Sequence, residues 1–203
     1  MQKSFCLIIV LLLFFSFKVF CQQTNFLPAG RYETILDFVK RRPIVNNLFE
    51  AKKFANTHIC KITNDQGKLE RKAFAVSNGK DFYISAVGMN ENLINEDWVI
   101  LNGRNWAYSK AIHCNESLMY FENDDVTKSY AVIGIGIVRL RGIVYQKSIS
   151  KFRVLIKNED IVAFLKQEKP ELLQKYNLIE NKVVDIDLVR KIMIDVFSDS
   201  ADL

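Results

Sequence analysis

The middle of the chain alternates short β-branched or aromatic runs with clusters of turn residues, and this pattern constrains the fold more than any other feature. The runs Thr57–Thr63 and Leu69–Val76 flank a turn sequence at 64–68 that contains glycine, asparagine and aspartate. The next turn contains Asn78-Gly79, a strong hairpin signal because both residues tolerate positive φ. These runs predict consecutive antiparallel strands.

The same pattern continues toward the centre of the chain. A run at 98–101 and the run Trp106–Ile112 flank the turn sequence Asn102–Asn105, and a run ending at Glu122 leads into the turn residues Asn123–Asp125. Turn residues therefore recur every 8 to 15 residues, which is typical of an antiparallel meander.

Both ends of the predicted meander have helical patterns instead. Thr34 can cap a short helix with Asp37 as the capping-box partner, and Pro43 stops that helix. After the meander, Asn158–Tyr176 carries apolar residues at helical spacing, and Pro170 is placed to begin a second short helix. A last helix is predicted at 186–197, with Asp185 or Asp187 as its cap. We therefore predict an α+β fold, an antiparallel β-rich meander preceded by a short helix and followed by C-terminal helices.

The N-terminus predicts export. After Lys3, an apolar run of 13 residues extends from Phe5 to Phe17, which suits a signal peptide and is too short for a bilayer core of roughly 30 Å. Val19 and Cys21 form a small-residue cleavage pair, so residues 1–21 are predicted as the signal peptide and 22–203 as a single α+β domain. Lipidation of Cys21 is the weaker alternative, because bulky Phe20 precedes it. The protein is thus expected to be periplasmic or secreted, with no transmembrane helix in the mature chain.

The charge of the mature chain argues against nucleic acid as a partner. Without Lys3 and Lys18, 26 basic residues face 23 acidic ones, a net charge of +3. Nucleic-acid binding requires a concentrated positive face. The densest basic cluster, Lys40–Arg42, is interpreted as the solvated end of the first helix. The expected partner is therefore an unidentified protein or a component of the cell envelope.

All the histidines and all the cysteines of the mature chain lie in two short groups, His58 with Cys60 and His113 with Cys114. Two imidazoles and two thiolates complete a tetrahedral zinc shell, and a histidine beside a cysteine can activate a nucleophile. However, adjacent strand residues point to opposite faces, so His113 and Cys114 converge on the first pair only at a bend. Three alternatives stay open: a Cys60–Cys114 disulfide, two unpaired buried thiols, and a metal or catalytic site. No residue is assigned as catalytic, cofactor-binding or metal-binding, and no cofactor is expected.

Two further motifs have structural interpretations. Ala131–Gly142 superficially resembles a nucleotide-binding loop, but Arg139 stands where that motif requires glycine, and no helix pattern follows. We interpret Gly134 and Gly136 as the bare face of a strand that another element approaches closely. The acidic clusters Glu91–Asp97 and Glu122–Asp125 lack the spacing of a calcium loop and are interpreted as solvated turns.

Two stretches, Ala29–Pro43 and Phe74–Ser85, resemble uncharacterised exported proteins of Bacteroidetes-type bacteria. The matching residues are Gly30, Tyr32, Thr34, Asp37, Phe38, Pro43, Asn78, Gly79, Lys80, Tyr83 and Ile84. The segment Phe152–Tyr176 is also similar to the C-terminal helix of that family. The resemblance implies a bacterial cell-envelope setting and no particular activity.

The sequence therefore predicts a non-enzymatic envelope or secreted protein with a binding or interaction role. The alternative is a metal-binding or thiol-dependent enzyme that uses His58, Cys60, His113 and Cys114.

Overall fold

The structure is a computed structural model, and it describes residues 27–44, 49–54, 58–94, 98–100, 106–127, 139–179 and 183–198. In these ranges the strands are β1 (Gly30–Tyr32), β2 (Phe49–Lys53), β3 (Ile59–Asn64), β4 (Ala75–Ser77), β5 (Phe82–Ser85), β6 (Trp98–Ile100), β7 (Tyr108–Cys114), β8 (Leu118–Thr127), β9 (Arg139–Gln146) and β10 (Lys151–Leu155). The helices are α1 (Ile35–Val39), α2 (Ala86–Glu91), α3 (Asn158–Glu168), α4 (Pro170–Asn177) and α5 (Ile186–Ser198).

The described strands form one antiparallel sheet, which confirms the predicted α+β class and the C-terminal helices. The sheet runs in the order β1-β4-β5-β7-β8-β9-β10. Three strands lie off this path: β2 pairs with β3, β3 pairs with the start of β7, and β6 pairs with the end of β8. Among the described helices, none is long and apolar enough to cross a membrane.

The sheet curls around an aromatic core. The ring centroid of Phe38 in α1 lies 5.1 Å from that of Phe82 in β5 and 5.1 Å from that of Tyr145 in β9. In a flat sheet β5 and β9 would be roughly 14 Å apart, three strand spacings. Strong curvature therefore brings both walls onto α1. The side chains that fill the inner core from the strands include Ile59, Ala75, Phe82, Ile84, Met119, Phe121, Ile143, Tyr145, Phe152 and Val154.

The outer face of β8, β9 and β10 carries a second core. Strand alternation sends Tyr120 and Val144 outward while their neighbours point inward. Helices α3, α4 and α5 pack on this face, and their buried residues are Ile161, Phe164, Leu165, Tyr176, Val189, Ile192, Met193 and Val196. The C-terminal helices thus cover what would otherwise be an apolar sheet surface.

Several local predictions are confirmed. Thr34 and Asp37 form the capping box of α1, with Asp37 N–H donating to Thr34 Oγ1 over 3.1 Å. Asn78-Gly79 connects the β4–β5 hairpin, and Gly79 has φ +85°. Pro170 begins α4, and the Leu188 N–H donates to Asp185 Oδ1 at the start of α5.

Other predictions about the meander are wrong in detail. The run Leu69–Val76 pairs with the strand before it only at its start, where Leu69 forms an antiparallel bridge with Thr63 and the Glu70 N–H donates to Ile62 O over 2.8 Å. The regular strand β4 begins at Ala75, and the main partners of β3 are β2 and β7. Residues 86 and 87, expected to extend β5, begin α2, because the Ser85 hydroxyl caps that helix.

Two turn assignments also need correction. Among the described residues, β6 pairs with β8, and β7 pairs with β3, β5 and β8, so the hairpin expected between the runs at 98–101 and 106–112 is not seen. The turn expected at Asn123–Asp125 is part of β8, which continues to Thr127 and pairs with β9. The predicted signal peptide, the turn Asn102–Asn105 and the glycine-rich 131–138 lie outside the described residues.

Candidate functional site

The two cysteines of the domain lie far apart in the sheet. Cys60 of β3 is paired with Tyr108 at the start of β7, whereas Cys114 is the last residue of β7. Six residues of strand separate these positions, roughly 20 Å, while a disulfide requires Cα atoms within about 7 Å of each other. Both thiols are free, so of the alternatives that the sequence left open, the structure contains unpaired cysteines, with Cys60 buried and Cys114 exposed.

His113 and Cys114, although adjacent in sequence, do not form a shared site either. Residue His113 is paired with Tyr120, whose side chain faces the C-terminal helices, while Cys114 is paired with Met119 of the inner core. The His113 ring stacks on Phe197 of α5 at a centroid distance of 5.3 Å. His113 and Cys114 therefore lie on opposite faces. Within the described ranges, no group of three or more His, Cys, Asp or Glu residues is placed to hold a metal ion.

The electrostatics of the two thiols also oppose nucleophilic chemistry. Burial raises the pKa of Cys60, an effect that Lys110 and Lys53 offset only in part. Although part of Cys114 reaches solvent, loss of water around its sulfur raises its pKa to about 11. Since the thiolate is the reactive form, both sulfurs are protonated and weakly reactive at neutral pH.

Thiol labelling checks this arrangement. We expect two free thiols per mature chain, with Cys114 labelled by iodoacetamide in the folded protein and Cys60 labelled at a comparable rate only after unfolding. The rate at Cys114 should keep rising with pH beyond 9, because the thiolate fraction increases about tenfold per pH unit below a pKa of about 11. Cys114→Ser is the control and should abolish labelling of the folded protein. A single intramolecular disulfide in the mass spectrum would contradict the structure.

One described cavity is a surface groove beside the inner core. It has a volume of about 510 Å³ and lies between the start of α1, the segment 71–74 and α2. Apolar side chains of Ile35, Phe74 and Val87 line it together with charged residues of both signs, Glu33, Arg71, Lys72 and Glu91. Its volume is in the range of about 300–1,000 Å³ that is usual for ligand sites.

The wall formed by 71–74 is held in place by one carboxylate. Glu70 Oε1 accepts hydrogen bonds from the backbone N–H groups of three successive residues, Arg71, Lys72 and Ala73, over 2.9, 2.9 and 3.1 Å. Its other oxygen lies 3.7 Å from the Arg31 guanidinium. Three ordered backbone donors on one acceptor make this a preorganised wall, a property that lowers the entropy cost of binding.

The opposite wall, formed by α2, lies close to Phe74 because it contains glycine at position 88. A Cβ atom at Gly88 would lie 2.6 Å from the Phe74 ring, inside van der Waals contact. The hydroxyl groups that line the groove already form hydrogen bonds within the protein. Ser85 Oγ accepts the Gly88 N–H over 3.0 Å, and Thr34 Oγ1 donates to the Asp37 carboxylate. None of the four His and Cys candidates lines the groove.

Sequence reasoning missed a buried ion pair on the other side of the sheet. Glu122 of β8 has a side chain only 5 % exposed and accepts a two-pronged contact from Arg190 of α5, with Nε–Oε1 and Nη2–Oε2 distances of 2.7 Å each. Tyr120 donates to the same carboxylate over 2.9 Å. Burial opposes ionisation, but the hydrogen bonds from Arg190 and Tyr120 outweigh it and hold the pKa of Glu122 below its usual range. The pair anchors α5 on the sheet.

No period-two pattern in the sequence marks this carboxylate, because both faces of β8 are buried at 118–123. Met119, Phe121 and Asn123 are buried on one face of β8, and Leu118, Tyr120 and Glu122 are buried on the other. The strand thus continues through the residues that were interpreted as a turn.

Comparison with known proteins finds no match among family models, curated proteins or solved structures.

Proposed function

We propose that this chain is an exported, non-enzymatic binding protein that holds its ligand in the groove between α1, the segment 71–74 and α2. The observation that carries the proposal is the groove itself, a cavity of about 510 Å³ with a preorganised wall. Its hydroxyls cap helices and no imidazole lines it, so it offers recognition without a nucleophile and base.

The lining indicates the kind of ligand. Phe74, Ile35 and Val87 provide apolar contact, while Arg71, Lys72 and Glu91 provide charges of both signs at the exposed margin. A short peptide segment of a partner protein or envelope component matches this combination, because it presents an apolar side chain together with charged groups. Charges at a margin favour orientation and specificity more than affinity.

Export is proposed on separate grounds. The apolar run Phe5–Phe17, the cleavage pair before Gln22 and the resemblance to exported Bacteroidetes-type proteins support a periplasmic or secreted location. Mass spectrometry of the protein isolated from the cell envelope or medium should find a chain that begins at Gln22. An intact chain in the cytosol would contradict this part of the proposal.

The alternative of a metal or thiol enzyme lacks a geometric basis in the described residues. His113 and Cys114 point to opposite faces, and Cys60 lies roughly 20 Å from Cys114. Stoichiometric zinc or copper in the purified protein would reopen it.

Peptide display tests the binding proposal. Random peptides of about ten residues would be selected on the mature protein, and the best sequences measured by calorimetry. We expect Val87→Arg, which fills the groove, to weaken binding at least about tenfold, the loss of one well-placed anchor contact. Leu36→Arg is the matched control, since Leu36 lies on α1, is 55 % exposed and does not line the groove.

The comparison between the two variants decides the outcome. Equal weakening by both substitutions, or peptides whose affinity neither substitution changes, would place the binding surface elsewhere. Thermal melts of both variants should match that of the wild type, so that misfolding is distinguished from loss of the site.

A further inference from the structure

A second cavity lies between the three C-terminal helices, away from the groove. We call it the helix slot; it has a volume of about 90 Å³. Apolar side chains from all three helices and the residues after α4 form its walls: Leu165, Leu172, Tyr176, Ile179, Leu188 and Ile192. An engineered apolar cavity of about 150 Å³ binds benzene, so the helix slot has room for a few carbon atoms against its apolar walls.

The rim of the helix slot is charged on one side. Lys175 of α4 and Asp195 of α5 form an ion pair across it, with an Nζ–Oδ2 distance of 2.8 Å. Lys191 also lines the slot, is exposed, and forms no ion pair with another described residue. The rim therefore carries one uncompensated positive charge beside an apolar opening.

We propose that the helix slot binds the end of a single alkyl chain whose carboxylate pairs with Lys191 at the rim. The occupant is a free medium-chain alkyl carboxylate. Its terminal carbons fill the slot between α4 and α5, and its carboxylate supplies the negative charge that pairs with Lys191. Two exposed apolar side chains, Leu178 (82 %) and Ile194 (60 %), are adjacent in sequence to the lining residues Ile179 and Asp195.

This site is independent of the groove proposed above. Helix slot and groove share no lining residue, so either proposal can fail while the other holds.

Methyl NMR with a series of simple probes tests the proposal on the mature protein. Butanoate, hexanoate and octanoate would be titrated, with hexylammonium as the probe of equal length and opposite charge. We expect shifts at the methyl groups of the slot walls. The affinity should rise about fourfold per methylene between butanoate and hexanoate, as burial of each CH₂ requires, and then level off once the slot is full. Hexylammonium should bind about fivefold more weakly, the upper end of the range for one exposed charge pair.

Two lysine variants separate the charge from the slot. Lys191→Gln should weaken hexanoate about threefold and leave hexylammonium no weaker than before. Lys166→Gln on α3 is the matched control, because Lys166 is exposed and does not line the slot. A third variant, Leu188→Phe, fills the slot and should abolish the methyl shifts while the thermal melt stays cooperative.

Several results would overturn the proposal. These are equal affinity for hexanoate and hexylammonium, an unchanged hexanoate affinity in Lys191→Gln, or shifts confined to residues outside the slot. Cosedimentation with phosphatidylglycerol vesicles without any response to hexanoate would identify a membrane surface as the occupant and would equally refute the free carboxylate.

Discussion

Arg190→Ala is expected to lower the free energy of unfolding by about 3 kcal/mol at neutral pH, the low end for breaking a buried ion pair. The low end applies because the Arg190 side chain is 44 % exposed, so water screens part of the loss. The large effect comes from Glu122, whose 5 % exposed carboxylate keeps a hydrogen bond from Tyr120 but loses both guanidinium contacts. Urea unfolding at pH 7 measures the difference.

The loss should depend on pH in a direction set by Glu122. In the wild type its pKa lies below the usual value, so its stabilising contribution is present above pH 4 to 5 and disappears as the pH falls through the folded-state pKa. In Arg190→Ala the guanidinium contacts no longer offset the burial of Glu122, so the pKa of Glu122 should rise above its usual value. The stability difference between wild type and variant should therefore be largest near pH 7 and shrink toward pH 4.

Two controls isolate the buried contact. Asp187 also lies 3.3 Å from Arg190, but its carboxylate is 83 % exposed, so Asp187→Asn should change stability by less than about 0.5 kcal/mol. Adding Glu122→Gln to Arg190→Ala removes the stranded charge and should recover part of the loss. A pH-independent difference, or an equal effect of Asp187→Asn, would show that Glu122 is not the cause.

Gly142→Ala is expected to destabilise the protein by about 2 kcal/mol, within the range for overpacking. A Cβ atom at this position of β9 would lie 2.5 Å from Val189 Cγ1 of α5 and 2.9 Å from the Tyr120 ring. Valine in a helix has one favoured rotamer, so the clash is relieved mainly by shifting α5 away from the sheet. Glycine is required here by the close approach of the helix.

A double-mutant cycle checks this explanation. Val189→Ala removes the methyl group that the new Cβ would meet, so Gly142→Ala should be less harmful in that background, with a coupling of at least about 0.5 kcal/mol. Urea unfolding of the wild type, both single variants and the double variant supplies the cycle. Strict additivity, or a loss below about 0.5 kcal/mol for Gly142→Ala alone, would mean that α5 is not held against β9 as described.

Neither candidate surface could be predicted from the sequence as a whole. Both helices that border the groove are short. Each begins at a cap, Thr34 or Ser85, whose side chain accepts the backbone N–H three residues later, and the sequence identified the cap at Thr34. The Glu70 hydrogen bonds to 71–73 are also local, but the groove depends as well on Phe74 meeting Gly88, a contact between separate segments that no local pattern encodes. The helix slot likewise requires residues from three helices.

The candidate thiol and imidazole set shows the opposite case. Alternation along a strand already indicated that His113 and Cys114 face opposite sides, and the register of β7 on β8 agrees. The separation of Cys60 from Cys114 could not be inferred, because it depends on β3 joining β7 at Tyr108. The pairing of strands that are far apart in sequence does not produce a periodic pattern in the amino-acid sequence.

The sequence by itself determined the features that arise within a few residues. These are the capping box of α1, the Asn78-Gly79 hairpin, the start of α4 at Pro170 and the apolar stripe of α5, since each depends on backbone conformation or helical spacing. Only the tertiary structure decided that β6 and β7 both pair with β8, that the sheet curls onto Phe38, and that Glu122 is buried under Arg190. These features require segments distant in the chain to meet, and side-chain packing selects such meetings from many alternatives with equally good local patterns.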